Sequence, residues 1–389
     1  MKEFSICIFD NKKTFDLKNL PKSCEVIYSN RSDNKDFISL DKEYIDETDF
    51  RNECLKRASG KYILWLNEET KFEEDLLEEY KEIIKELDVD IVYPNEILIE
   101  NKNEKIKKHR DWFEIEKEML SSLNFENDLP KWGVVTKKEK FKEFEKRYGN
   151  DSFYGYIYIN LENLSLKLSS ESYMERKIEE KEKDLSYRSL LIRDIIKEYD
   201  LKDVFKYLNW EKENIALATA YTMIGKKLYN YLDFYNASNF FRQALISFHN
   251  QETLKKLIDT YYQMGFFDEA IKIIQTQDLD EKLQKDYIAI IDKTKDLINT
   301  LEKEVQVKNL DEILKAKDDI FVTYQGAPMQ NIFGVIMYLK KDFKKSFDYF
   351  YKAATMNPLD KDLISNLADL AKILNKKEEV IGLINRLTK

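Results

Sequence analysis

Glycine and proline are scarce in this chain, 9 and 5 among 389 residues. Few loops can therefore rest on left-handed or rigid turns, and helix is expected to dominate. Cysteine is sparser still. Cys7, Cys24 and Cys54 all fall in the first 54 residues, in odd number and without a Cys-x-x-Cys spacing. That pattern argues against a disulfide framework and against a cysteine-rich zinc site. His109 and His249 are the sole histidines, which excludes a histidine-rich metal site. No apolar stretch approaches the ~18 residues of a membrane span. The opening run MKEFSICIFD is too short for a signal-peptide core, so the expected location is the cytoplasm. A basic excess is missing as well: 64 Lys and Arg face 73 Asp and Glu, a net charge of −9. Nucleic acid is accordingly not expected as the main partner, because nothing is left over to neutralise phosphates.

What is present is a charge-rich globular chain, 43% hydrophobic and 35% charged, long enough for two or three domains at roughly 100–200 residues each. Its two halves differ in texture. Residues 1–185 alternate short apolar runs with helix-like stretches. FSICIF (4–9), EVIY (25–28), KYILWL (61–66), DIVY (90–93) and EILIE (96–100) read as strands. FRNECLKRA (50–58), followed by Ser59-Gly60, reads as a helix ended by glycine, and EEDLLEEYKEIIKEL (73–87) as an amphipathic helix with acids in its first turn. Strands alternating with helices predict an α/β layer around a largely parallel sheet. Residues 186–389 are expected to be all-α and repetitive. Leu254-Leu257-Ile258-Tyr261-Gly265-Phe267-Ala270-Ile274 sets a helix-pair pattern. It returns from Phe333 to Pro358 and from Ile364 to Leu387, and Ala237 and Ala270 stand 33 residues apart, near the 34-residue tetratricopeptide period. Such pairs cannot bury their own faces and must stack. Residues from about 278 to 328 break the register and read as a degenerate repeat or an insertion.

In open α/β sheets, ligands bind beyond the carboxyl ends of the strands. Three such ends stand out: Asp10-Asn11, Ser29-Asn30 and Asn67-Glu68-Glu69. At the third, an amide and two carboxylates could hold a hard divalent cation on a diphosphate. On these residues alone, acids that open the next helix are the commoner explanation.

The segment FRNECLKRASGKYILWLNEET (50–70) resembles glycosyltransferase family 2, whose enzymes have the GT-A fold, a Rossmann-like nucleotide-sugar-binding α/β domain. The Arg51-Asn52 helix start, Ala58 and Gly60 at its end, and the Tyr62–Leu66 strand match that family's order, as does LPKWGVVTKK (129–138) with Phe141 and Phe144 on the acceptor side. The resemblance covers about residues 1–180. It implies donor contacts from Asp10, Asn11, Ser29, Asn30, Arg51, Asn52, Asn67 and Glu68, and a Mg2+ or Mn2+ ion on Glu69. The family's Asp-x-Asp is Asn67-Glu68-Glu69 here, so its first charge is absent. The acids usual after the second strand are replaced by Ser29-Asn30, with Asp33 later. The helix expected between the first two strands is shortened to about residues 12–19.

The resemblance also implies a general base late in the domain. Asp151, the lone carboxylate between Lys146 and Leu161, is the first candidate, ahead of Asp128 and Asp111. The alternative for Asp151 is an N-cap of the aromatic helix that comes next. His109-Arg110 could face a diphosphate or form a solvated loop pair. Trp112 and Trp132 could stack a sugar or pack the core. Cys54 reads as inert core. The helical half resembles tetratricopeptide domains, which bind protein segments. The combination is similar to bacterial protein glycosyltransferases that modify flagellin or peptides. It implies transfer of a sugar from a nucleoside diphosphate donor, UDP-sugar foremost, to a protein or peptide acceptor held by the repeats, or a homodimer through them. Two other readings stand beside it. One is a catalytically degenerate scaffold whose repeats bind a partner, and the other a helical adaptor with no nucleotide fold.

Overall fold

The computed structural model describes residues 3–30, 32, 34–40, 46–100, 103–109, 120–121, 123, 129–177, 184–277 and 279–388. The chain divides into two compact units, residues 1–187 with 193–206, and residues 188–192 with 207–389.

Nine strands among the described residues build one sheet in the first unit: β1 (Phe4–Phe9), β2 (Glu25–Tyr28), β3 (Phe37–Ser39), β4 (Tyr62–Asn67), β5 (Thr70–Lys71), β6 (Ile91–Glu100), β7 (Asn103–Lys107), β8 (Val134–Lys137) and β9 (Leu166–Lys177). Their order is β3-β2-β1-β4-β8-β6-β9-β5, with β7 beside β6. The first four run parallel. β8 is antiparallel to β4 and β6, β6 and β9 are parallel, and β5 and β7 run antiparallel to β9 and β6. The sheet is thus mixed, where the alternation of elements predicted a largely parallel one. The hairpin β6–β7 and the inserted β8 break the strand–helix–strand rhythm on which that expectation rested.

Alternation along each strand sorts the side chains onto two faces. Phe4, Ile6, Ile8, Leu64 and Leu66 form one buried cluster with Leu76, Leu77 and Tyr80 of helix α2 (Glu74–Leu87). Each such side chain contributes about 1.5–3 kcal/mol of burial. The opposite parity carries Cys7, Phe9, Ile63 and Trp65, and helix α1 (Glu47–Arg57) packs there, with Phe50 5.3 Å from Phe9 between ring centres. Cys54 is buried and free, and burial pushes its thiol well up.

Three local expectations change. α1 ends at Arg57 with Ala58 as its C-cap, before the glycine expected to stop it. Gly60 serves a different purpose: a Cβ there would come within 2.6 Å of the Ser5 nitrogen and 2.7 Å of the Phe4 carbonyl carbon, so the chain entering β4 passes too close to β1 for a side chain. DIVY and EILIE belong to one strand, β6, running through Pro94. Its register with β9 shifts between Pro94 and Asn95, and an irregularity is where a strand tolerates a missing donor. Between β1 and β2 a single 3-10 turn, Leu17–Asn19, replaces the short helix, capped by Asp16.

The second unit is helical, and the expected class, an α/β unit followed by an all-α one, is the one observed. Helices pair as Glu213–Asn230 with Phe234–Ser247, Gln251–Met264 with Phe267–Thr276, Ala327–Leu339 with Phe343–Met356, and Lys361–Leu374 with Lys377–Thr388. Residues that break the repeat form one long helix, Glu281–Gln306, and two short ones, Leu310–Lys315 and Lys317–Thr323. Small residues set the approach of the pairs. A Cβ on Gly225 would lie 2.6 Å from the Phe241 ring, and one on Gly334 would lie 2.5 Å from the Phe350 ring. The unit also closes on itself. The Asn236 amide donates to the Leu387 carbonyl at 2.9 Å, and the Asn357 amide to the Met264 carbonyl at 2.9 Å. No helix among the described residues is long and apolar enough to cross a membrane.

Candidate donor and acceptor site

From β1 the chain proceeds to β2 and β3 on one side, and α1 then returns it to β4 on the other side of β1. Strand order therefore reverses between β1 and β4, and the crevice outside their carboxyl ends is where an open α/β sheet takes a ligand. Phe9 pairs with Asn67 across this point, and the Glu68 N–H donates to the Phe9 carbonyl at 3.1 Å. Asp10 and Asn67-Glu68 consequently emerge side by side.

Asp10 is fully buried. One carboxylate oxygen accepts from the Lys12 and Thr14 amides, both at 3.1 Å, and the other from the Phe15 amide at 2.9 Å and the Tyr28 hydroxyl at 2.7 Å. Those four donors match the acceptor capacity of a carboxylate. Asp10 therefore organises the loop after β1, and its side chain has no position left for a nucleotide. Burial, with Asp10 beside it, raises the Tyr28 phenol. Ser29 accepts the Asp10 N–H at 2.9 Å, and the Asn30 amide donates to the Asp10 carbonyl. Together they latch the end of β2 to the end of β1. Asn11 is exposed beside them.

The tip of β4 differs. The Thr70 hydroxyl accepts the Asn67 N–H at 3.1 Å and donates to the Asn67 carbonyl at 2.8 Å, closing a tight turn through Glu68 and Glu69. Glu68 and Glu69 are half-buried on this turn rather than in a helix, since α2 begins only at Glu74. Asn67 is 5% exposed, and its buried Oδ1 has no hydrogen-bond partner. An orphaned buried acceptor costs about 1–3 kcal/mol and is uncommon enough to call for a reason.

Arg51 and Asn52 face the other way. The Arg51 guanidinium is fully buried, 4.2 Å from the Trp132 ring centre, 4.6 Å from Phe153 and 4.9 Å from Trp65. It donates to the Lys131 carbonyl at 2.8 Å and to Glu47 at 3.3 Å. Burial lowers its pKa and Glu47 partly offsets this. Asn52 accepts the Phe144 N–H at 2.7 Å and donates to the Phe144 carbonyl at 2.9 Å. These contacts fasten the segment around 131–144 to α1, while Arg51 Nη1 is buried without a hydrogen-bond partner. Trp132, 4% exposed and stacked 5.9 Å from Phe9 at 3°, packs against the end of β1.

Asp151 is 8% exposed and occupies the N-cap of α3 (Ser152–Ile159), yet its side chain makes no capping bond. His109 is buried: its Nε2 lies 2.9 Å from Glu96, its N–H donates to Asn95 at 2.8 Å, and its Nδ1 has no partner. These bonds hold it on the β6–β7 hairpin. Asp33, Arg110, Asp111, Trp112 and Asp128 lie outside the described residues.

Among the described residues no three His, Cys, Asp or Glu side chains are grouped to hold a metal ion. The tip of β4 still offers hard oxygen donors, one amide and two carboxylates. Magnesium commonly takes one or two carboxylates together with substrate phosphates, without an all-protein cage. The residues present fit that second arrangement.

Comparison with solved structures finds residues 1–349 of S. aureus TarS in complex with UDP-GlcNAc, at 12% identity over 76% of this chain and 92% of that one, with a TM-score of 0.42. A longer S. aureus TarS structure is similar at 10% identity, over 75% of this chain and 55% of that one, TM-score 0.41. MamA of MSR-1 is similar at 11% identity over 52% of this chain and 84% of that one, TM-score 0.17. No family model matches the chain, and no curated protein does. At these TM-scores the superpositions carry no functional argument, and the chain's own residues have to supply one.

Glu47, Thr48, Thr70, Tyr80 and Lys131 shape the site without standing out in the sequence. Tyr80 donates to the Gly133 carbonyl at 2.7 Å. Glu47 and Lys131 look like ordinary solvated charges when only the sequence is considered. Their mutual ion pair at 2.8 Å marks them out, and the clue in the sequence is Glu47 and Arg51 at i, i+4 next to Phe50.

Proposed function

We propose that the first unit is a GT-A-like glycosyltransferase domain that binds a nucleoside diphosphate sugar, UDP-sugar foremost, in the crevice between β1 and β4. The observation that carries this is the bare, buried Oδ1 of Asn67 at the point where strand order reverses. An acceptor oxygen held there without a partner is suited to a ribose hydroxyl or an ordered water on a diphosphate. Asn11, Ser29 and Asn30 line the nucleotide side in this reading. Glu69, with Glu68, would hold Mg2+ or Mn2+, which when bound neutralises charge on the departing diphosphate. The acceptor is a protein or peptide side chain held by the helical pairs. As its nucleophile bonds to the anomeric carbon, the bond from that carbon to the diphosphate oxygen breaks, and Asp151 takes the acceptor's proton.

A specific observation favours a second reading. The carboxylate of Asp10 is saturated by its own loop, and Asn67 stands where the resembling family carries an acid. A domain that kept the crevice and lost the chemistry, leaving the repeats to bind a partner, would look the same. Calorimetry with UDP, GDP and their sugars, with and without Mn2+, separates the readings. The transferase reading expects UDP binding strengthened by Mn2+, and donor turnover lost in Glu69→Ala and in Asp151→Ala. Absence of binding to every nucleotide favours the scaffold, and turnover unaffected by both substitutions defeats the site assignment.

A further inference from the structure

Beside the apolar Phe50, Cys54 and Leu55, α1 buries a polar stripe: Glu47, Thr48, Arg51 and Asn52 recur at helical spacing and are all enclosed. Charges on an enclosed helix face are costly unless paired, and here two loops from far along the chain pair them. Asn52 brackets the backbone of Phe144, and Arg51 bonds the Lys131 carbonyl. The Thr48 hydroxyl donates to the Gly149 carbonyl at 2.8 Å and lies 3.0 Å from the Ser152 hydroxyl. One side chain joins both loops. The Lys131 ammonium donates to Glu47 at 2.8 Å and to the Asn150 carbonyl at 2.9 Å.

These ties converge on the residues flanking Asp151. Gly149 sits at φ 50, ψ −131, a conformation that side chains of L-residues rarely adopt, and its carbonyl is held by Thr48. Asn150 is held by Lys131, and Ser152 adjoins Thr48. Asp151 has neighbours fixed on either side while its own carboxylate makes no helix cap.

We propose that Lys131 is a positioning residue: held by Glu47, its ammonium fixes the Asn150 carbonyl and with it the place of the Asp151 carboxylate. The proposal rests on the reading of Asp151 as the base. Glu47 is the second member of the device, because without it the ammonium has no fixed anchor at the start of α1. Arg51, enclosed by rings and bonded to Glu47, holds that anchor in turn.

The test uses the full chain and the variants Lys131→Met, Lys131→Arg and Glu47→Gln. Three quantities are read: UDP affinity in Mn2+ by calorimetry, turnover of UDP-GlcNAc as a function of pH, and amide hydrogen exchange over residues 149–152. Lys131→Met is expected to leave UDP affinity unchanged, to speed exchange in that stretch alone, and to lower kcat by about 100-fold, the scale of a misplaced catalytic group. KM for the donor should stay put, and Lys131→Arg should restore much of the loss. Glu47→Gln should give a smaller effect in the same direction. Exchange at 149–152 indistinguishable from wild type overturns the proposal, and so does faster exchange with full turnover. If the wild-type chain turns over no UDP-GlcNAc yet binds UDP, the transferase reading fails and the positioning role with it. Faster exchange in the Lys131 variant would then mark the clamp as purely structural.

Discussion

Asn67 illustrates how a single side chain can be kept at a cost. Its amide oxygen is buried with nothing to accept from, and replacing such a group by an apolar one of similar size relieves about 1–3 kcal/mol. Asn67→Leu is therefore expected to raise the thermal midpoint of the ligand-free protein while weakening UDP binding, measured by calorimetry on the same sample. A fall in both quantities would assign the amide a structural duty instead. Tyr80 makes the opposite case. Fully enclosed and donating to the Gly133 carbonyl, it has a phenol pKa well above the usual value, with burial as the main cause. Above pH ~10, the ordinary value for tyrosine, the unfolded chain gives up this proton while the folded one keeps it. The unfolded state then binds fewer protons, so stability falls as pH rises. Tyr80→Phe should cost about 1–2 kcal/mol at neutral pH, from the bond lost and the carbonyl left bare. It should also flatten the loss of stability above pH ~10 in urea titrations.

At the scale of elements, the helix pairs depend on where a ring meets a missing side chain. Gly334→Ala places a methyl 2.5 Å from the enclosed Phe350 ring, and overpacking of this kind costs about 1–3 kcal/mol, more than the ~1 kcal/mol that alanine adds in helix propensity. Adding Phe350→Leu should recover part of that loss, giving a coupling of about 1 kcal/mol or more in a double-mutant cycle. Additive effects would mean that the pair closes some other way. The same elements show what is legible from residues alone. Apolar runs such as FSICIF and KYILWL are buried strands because enclosure on both faces leaves no alternation to confuse the reading. The repeat stands out because small and large residues recur in fixed order. β9, by contrast, reads LKLSSESYMERK, a polar stretch whose strand character comes from pairing with β6 rather than from its composition. Arg51 and Asn52 enter the sequence reading as donor contacts because the family resemblance implies it. In the structure their helix turns that face inward, toward partners some 80 and 92 residues away, a relation no local pattern can encode.

At the scale of the molecule, the reversal of strand order is what gives separate residues a common destination. Asp10, Ser29, Asn30 and Asn67 are spread over 58 positions and meet because β1 is flanked by β2 on one side and β4 on the other. A proposed site of this kind should tolerate changes along the opposite ends of those strands: substitutions at the amino ends of β1 and β4 are expected to alter stability without altering nucleotide affinity once the protein is folded. Binding curves at a fixed folded fraction would check this.

Stacked arrays generally melt piecemeal from their ends, since each member touches only its neighbours. Here the amide of Asn236, near the start of the helical unit, grasps the backbone at Leu387. That bond ties the helix Lys377–Thr388 to the helix Phe234–Ser247. Asn236→Ala, which opens it, should convert a single sharp transition into gradual fraying, with proteases reaching Lys377–Thr388 well before the rest of the unit yields. The two helices so joined, Phe234–Ser247 and Lys377–Thr388, are then expected to yield together rather than one after the other.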